Sequence, residues 1–112
     1  MCIFCQIAAG EVASDIVYQD EDIVAFNDIN PEAPVHILII PKRHLSNLNE
    51  ATAADAELLG KIVLTASRLA KEREVEETGY RLVANTGPQA GQTVHHLHFH
   101  LLAGRHFSWP PG

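Results

Sequence analysis

The amino-acid sequence predicts an α+β domain: an antiparallel sheet of about five strands carrying one long helix, with a short helix near the N-terminus. Three observations support this. Short runs rich in β-branched and aromatic residues are separated by Pro, Gly and acidic turns, a single stretch of about twenty residues repeats its apolar positions every 3.6 residues, and residues 96–101 alternate histidine with apolar side chains. With 112 residues, the chain fits one domain spanning 1–112 that can bury a core without disulfide staples.

From Ile3 to Ala9 the apolar residues Ile3, Phe4 and Ile7 fall on one side of a helical turn that Gly10 ends. Ile16 to Gln19 and Asp22 to Asn27 read as two strands of a hairpin turning at Asp20-Glu21. Asn30 to Pro34 holds two prolines and is a loop; Val35 to Ile40, nearly all apolar before Pro41, is a central strand buried on both faces. The long helix runs from about Ala53 to Glu74, with Leu59, Ile62, Val63, Ala66, Leu69 and Ala70 on one face. Thr52 and Asp55 form a capping box at its start, and Gly79 suits its exit. Tyr80 to Ala84 is a further strand, Asn85 to Gly91 a loop, and Gln92 to Ala103 a histidine-bearing last strand. The tail, 104–112, ends Trp109-Pro110-Pro111-Gly112 and is irregular.

Composition narrows the function classes. Hydrophobic residues are 46% and charged residues 20%, ordinary globular usage. A formal charge of −6 argues against a nucleic-acid polymer as partner, because phosphate backbones demand a Lys/Arg footprint. A mononucleotide, held by backbone amides and a few side chains, is compatible. The sequence has no run near the roughly 20 apolar residues of a membrane span and no basic-then-apolar leader, so the expected setting is cytoplasmic, without a membrane partner.

The chemistry concentrates late in the chain. A strand with alternating side chains would place His96, His98 and His100 on one surface, with Leu97, Phe99 and Leu101 directed into the core. Imidazoles act as nucleophile, proton carrier or metal ligand near neutral pH. Just upstream, Gly91-Gln92-Thr93-Val94 offers a close-approach glycine followed by amide and hydroxyl donors suited to an anion such as phosphate. A neutral histidine whose other ring nitrogen is held by a carbonyl can attack phosphorus while such donors stabilise the developing charge, and no metal is required for this catalysis. His36, within an apolar strand, reads as a buried, hydrogen-bonded histidine supporting the triad, and His95 and His106 carry no catalytic role.

These residues resemble the histidine-triad (HIT) superfamily, and within it the Hint branch of nucleoside phosphoramidases. The resemblance covers nearly the whole chain: Ala25 to Pro31, Ala33 to Lys42, Gly79-Tyr80-Arg81, Gly91 to Val94, the alternating histidines and Trp109 to Gly112. It implies an enzyme that binds a purine mononucleotide and hydrolyses a phosphoramidate or acyl-phosphate bond through a nucleotidyl-histidine intermediate. His98 falls on the nucleophile's position, His100 would contact phosphate and leaving group, and His96 would orient the nucleophile, its carbonyl accepting the His98 ring proton. Thr93 stands where serine is usual; it keeps the hydroxyl and adds a methyl. Asp28 would accept the ribose hydroxyls, Phe4, Ile7 and Ile29 would hold the base, and Asn85, Gln92 and Val94 would contact phosphate through side chain or backbone. The resemblance also implies a homodimer in which the tail carries Trp109 toward the partner's site.

Cys2 and Cys5 are the only cysteines, spaced C-x-x-C. Two readings stay open: a structural zinc site, to which the resemblance adds His44 and His96, or two thiols packed as small hydrophobes. Two alternatives to the enzyme also stand. A non-catalytic nucleotide-binding or partner-binding module would use the same fold, whereas a zinc-dependent structural protein would leave Asp28 and Gly91-Gln92-Thr93 without a purpose.

Overall fold

A computed structural model describes residues 2–112. Helix α1 spans Ile3–Ala8, and strands β1 Ile16–Gln19, β2 Ile23–Asn27 and β3 Val35–Pro41 follow. Helix α2 covers Ala56–Glu72, and β4 Tyr80–Val83 and β5 Phe99–Ala103 complete the chain. The strands form one antiparallel sheet in the order β1-β2-β3-β5-β4. β3 is therefore central, and six of its seven residues are buried.

Side-chain alternation divides this sheet into two unlike faces. Ile23 and Ala25 of β2, Ile37 and Ile39 of β3 and Leu101 of β5 pack beneath Ile62, Ala66 and Leu69 of α2. Their neighbours in sequence, Val24, Phe26, Leu38 and Ile40, pack on the opposite face against Phe4 and Ile7 of α1. The register pairs His36 with Leu102 and Leu38 with His100, so His36, Leu38 and His100 belong to the α1 face. A continuous apolar strand such as β3 is what a sheet covered on both sides requires.

Several sequence expectations need correction. The long helix begins with a separate 3-10 turn, Ala53–Asp55, which carries the reciprocal Thr52/Asp55 capping box, and α2 proper starts at Ala56. Its exit is made by Glu74 in the left-handed region, φ 57°, and not by Gly79. Val63 is 46% exposed and Thr65 takes the buried position, because the sheet meets a stripe rotated slightly from the one the apolar residues suggest. The last strand is shorter than expected: β5 begins at Phe99, so His96 and His98 precede it in irregular backbone. The 3-10 turn Pro88–Ala90 lies inside the expected loop.

The tail is tied to the sheet. Arg81 of β4 donates to the carbonyls of Ser108 at 2.6 Å and Pro111 at 3.3 Å, and Phe107 lies under the guanidiniums of Arg81 and Arg105. Gly104 permits the turn into it: φ is +92°, and a Cβ there would meet Pro34 at 2.8 Å.

Candidate active site and metal-ligating cluster

A cavity of about 440 Å³ opens on the α1 face of the sheet. Ile3, Phe4 and Ile7 form one wall, Phe26 and Leu38 the floor, Asp28 and Ile29 one rim, Thr93 and Val94 another, and His98 and His100 the inner end. The mixture is that of a small-molecule site, largely apolar with a few convergent polar groups.

Within it the histidines are held by specific partners. His98 Nδ1 lies 2.7 Å from the main-chain carbonyl of His96. A carbonyl only accepts, so a neutral His98 carries its proton on Nδ1 and keeps a lone pair on Nε2. Phe4 packs edge-on against the ring at 5.1 Å between centroids, and His100 lies 5.0 Å away on the same basis. Burial, followed by the adjoining His98 and His36, pushes His100 down to about 4, leaving it neutral at pH 7. Its Nδ1 is 2.9 Å from His36 Nε2.

His96 is fully buried, and it faces away from the cavity toward the cysteines. Its Nε2 donates to the Pro41 carbonyl at 2.8 Å, which leaves Nδ1 with a lone pair, and burial lowers its basicity further. That Nδ1 lies 3.1 Å from His44 Nδ1, 3.4 Å from Cys2 Sγ and 3.5 Å from Cys5 Sγ, and Cys5 Sγ lies 3.3 Å from His44 Nδ1. Zinc bond lengths near 2.0 Å to nitrogen and 2.3 Å to sulfur imply tetrahedral edges of about 3.3 to 3.8 Å. The four donor atoms, all within 4.8 Å of one another, fit that geometry. Burial and the neighbouring Cys2 thiol push the Cys5 thiol up.

The remaining predicted residues divide. Asp28 reaches the cavity rim: Oδ1 accepts from the Asn30 amide at 2.8 Å, while Oδ2 lies 3.4 Å from His36 Nε2. The turn role and an accessible carboxylate oxygen thus coexist in one side chain. Ile29 is 87% exposed at the mouth, whereas Phe4 and Ile7 are buried, so core packing and cavity lining are the same act for these two. Gln92 is held through its side chain. Its amide group is spent inside the protein, donating to the Ser46 and Val94 carbonyls and accepting from the Gly87 amide, so it shapes the Gly87–Val94 loop. Asn85 is half-buried and does not line the cavity. Trp109 is 84% exposed and away from the cavity of its own chain, and His95 and His106 are exposed. Sequence reasoning missed Ile3, Val12, Phe26 and Leu38 as lining residues and the Pro41 carbonyl as the partner of His96. No short-range signal marks these, because packing of α1 and the following loop against paired strands β2 and β3 brings them to the site.

A histidine pair, His98 and His100, lines a cavity on one face of the five-stranded sheet, beside a Cys/Cys/His/His cluster, the arrangement of a histidine-triad protein. The HIT domain model matches residues 9–107, and the chain belongs to the HIT family. It is 46% identical over 103 residues to the purine nucleoside phosphoramidase of Escherichia coli, covering 92% of this chain and 87% of that one. It is 48% identical over 112 residues to a 14 kDa zinc-binding protein of Zea mays, with 98% and 87% covered. A HIT family hydrolase from Legionella pneumophila superimposes with a TM-score of 0.98 at 48% identity over the whole of both chains. A Zn-bound histidine triad family protein from Mycobacterium smegmatis superimposes at 0.80 and 31% identity, with 93% and 75% covered. Among the described residues no helix is long and apolar enough to cross a membrane.

Proposed function

We propose that the protein hydrolyses purine nucleoside phosphoramidates of the adenosine 5'-phosphoramidate type, and related acyl-nucleotides, through a nucleotidyl-histidine intermediate on His98. One observation carries this reading: the 2.7 Å contact of His98 Nδ1 with the His96 carbonyl makes Nε2 the lone-pair nitrogen of the neutral ring, which lines a cavity of nucleotide size. The phosphoramidase of Escherichia coli supports the choice of substrate class.

In the first half-reaction His98 Nε2 forms a bond to phosphorus. The phosphorus–nitrogen bond of the substrate breaks, its electron pair departs with the amine, and the amine takes up one proton from water. In the second half water attacks phosphorus, the imidazole leaves with its electron pair restored, and one proton returns to solvent. Neutral His100 and the Thr93 hydroxyl donate hydrogen bonds to the phosphoryl oxygens as charge builds on them. Asp28 Oδ2 accepts from the ribose hydroxyls, and Phe4, Ile7 and Ile29 clasp the base. Val94 closes the phosphate side of the cavity.

Cys2, Cys5, His44 and His96 would hold a structural zinc. When bound, zinc supplies a crosslink between α1 and the histidine segment and takes no part in the phosphoryl chemistry. The exposed apolar side chains of α2, among them Val63 and Leu64, are read as the pairing surface of a homodimer whose partner would receive Trp109. The deciding experiment supplies adenosine 5'-phosphoramidate to purified protein and traps the adduct by rapid acid quench. Turnover with AMP attached to His98 is the expected result; tight AMP binding without turnover would instead indicate a binding module.

A further inference from the structure

We propose that His36 is a positioning residue that sets the tautomer of His100, so that His100 presents an N–H donor, not a lone pair, to the phosphoryl group; this rests on the catalytic reading of the cavity given above. Two hydrogen bonds in series fix the proton positions. The backbone amide of Glu32 donates to His36 Nδ1 at 3.0 Å. An amide N–H only donates, so Nδ1 of a neutral His36 is a lone pair and its proton sits on Nε2. Nε2 lies 2.9 Å from His100 Nδ1 and donates to it. His100 Nδ1 is thereby an acceptor, and the single proton of neutral His100 is on Nε2, the nitrogen left for the cavity that His100 lines.

The surroundings reinforce this direction. His36 is buried in the central strand, 6% exposed, so water does not compete for its ring nitrogens. Asp28 Oδ2, 3.4 Å from the same Nε2, is a weaker second acceptor whose charge favours a proton there. Arg105 Nε donates to the Glu32 carbonyl at 2.9 Å, and so braces the loop whose amide starts the chain. Asp28, His36 and His100 also place donor atoms within 4.8 Å of one another, as a metal site would. A cation on His36 Nε2 would have to displace the only proton of a ring whose Nδ1 already accepts a hydrogen bond. The hydrogen-bonded chain needs no such ionisation.

The consequence is electrostatic. With Nε2–H facing the site, His100 stabilises negative charge on the phosphoryl oxygens; with the other tautomer its lone pair would oppose that charge. The test combines a spectroscopic and a kinetic readout on the full chain. In histidine-labelled wild-type protein, long-range nitrogen–proton NMR correlations should show His100 protonated at Nε2. His36→Leu should shift His100 toward the Nδ1–H form and lower kcat for adenosine 5'-phosphoramidate by about tenfold or more, with a smaller change in KM. His36→Gln, which restores an N–H near the Nε2 position, should recover the tautomer and most of kcat. A wild-type His100 protonated at Nδ1 would overturn the proposal, as would an unchanged tautomer in His36→Leu or equal losses in the Leu and Gln variants. Should wild-type protein fail to hydrolyse the phosphoramidate, the catalytic reading falls while the NMR result still decides the role of His36.

Discussion

His98 is aimed by the backbone of His96: its Nδ1 lies 2.7 Å from that residue's carbonyl, two positions earlier in the chain. The side chain of His96 is turned the opposite way, toward Cys2, Cys5 and His44. One residue therefore serves both centres, its carbonyl orienting the ring of His98, the proposed nucleophile, and its imidazole closing the Cys/Cys/His/His cluster. His98→Ala should abolish turnover while leaving AMP affinity largely intact. Activity within about tenfold of wild type, roughly 1.4 kcal/mol of barrier, would remove His98 from the nucleophile's role.

Asp28 is expected to discriminate the sugar. Asp28 lines the cavity, with Oδ1 engaged by the Asn30 amide and Oδ2 3.4 Å from His36 Nε2, and a hydrogen bond to a charged group contributes about 1.5–3 kcal/mol. Asp28→Ala should weaken AMP binding by roughly 10- to 100-fold and leave the affinity for a 2',3'-dideoxy analogue nearly unchanged. Calorimetric titration of both nucleotides checks this, and an equal loss for the two would count against ribose recognition.

Metal analysis of untagged protein should find about one zinc per chain. Cys5→Ser should lose the metal and melt at a lower temperature, because a structural zinc contributes its binding energy to folding. The His98 and His100 resonances should nevertheless remain those of a folded protein. Little or no zinc after zinc has been supplied would return Cys2 and Cys5 to simple packing.

Stability should fall in mild acid on account of His100. Burial, with His98 and His36 alongside, holds it down to about 4 in the folded state against 6.5 for a free histidine. Between these values the unfolded chain binds more protons, so unfolding free energy rises with pH across that window and is lost as pH falls through it. Denaturant midpoints measured from pH 7 to about 4 should drop more steeply for wild type than for His100→Asn; parallel profiles would exclude this contribution.

Two substitutions on α2 should separate core from surface. Ile62 is fully buried against Ile37, Ile39 and Leu101, so Ile62→Ala should cost about 2–5 kcal/mol in chemical denaturation. Leu64 is 72% exposed, so Leu64→Lys should leave the stability of the isolated fold nearly unchanged but shift sedimentation from dimer toward monomer. Wild-type protein that sediments only as a ~12 kDa species at micromolar concentration would refute pairing.

The chain order of elements and the residue types of the site are legible in the sequence because they arise from local rules. Pro34 precedes β3 and Pro41 ends it, a 3.6-residue period marks α2, Thr52 and Asp55 announce its start, and His98 and His100 stand two apart beside a donor-rich loop. Tertiary structure decided what those rules do not reach. Alternation groups His96 with His98 and His100, yet the strand begins only at Phe99, so the His96 side chain is free to turn toward the cysteines. The sequence leaves open whether Gln92 offers its side chain or its backbone; packing of the Gly87–Val94 loop engages the side-chain amide internally. His36 and His100 lie 64 residues apart, and only the β3/β5 register, Leu38 opposite His100, brings their nitrogens to 2.9 Å. A one-residue slip would turn every side chain of a strand to the other face, and that choice is made by the two cores packing at once under α1 and α2.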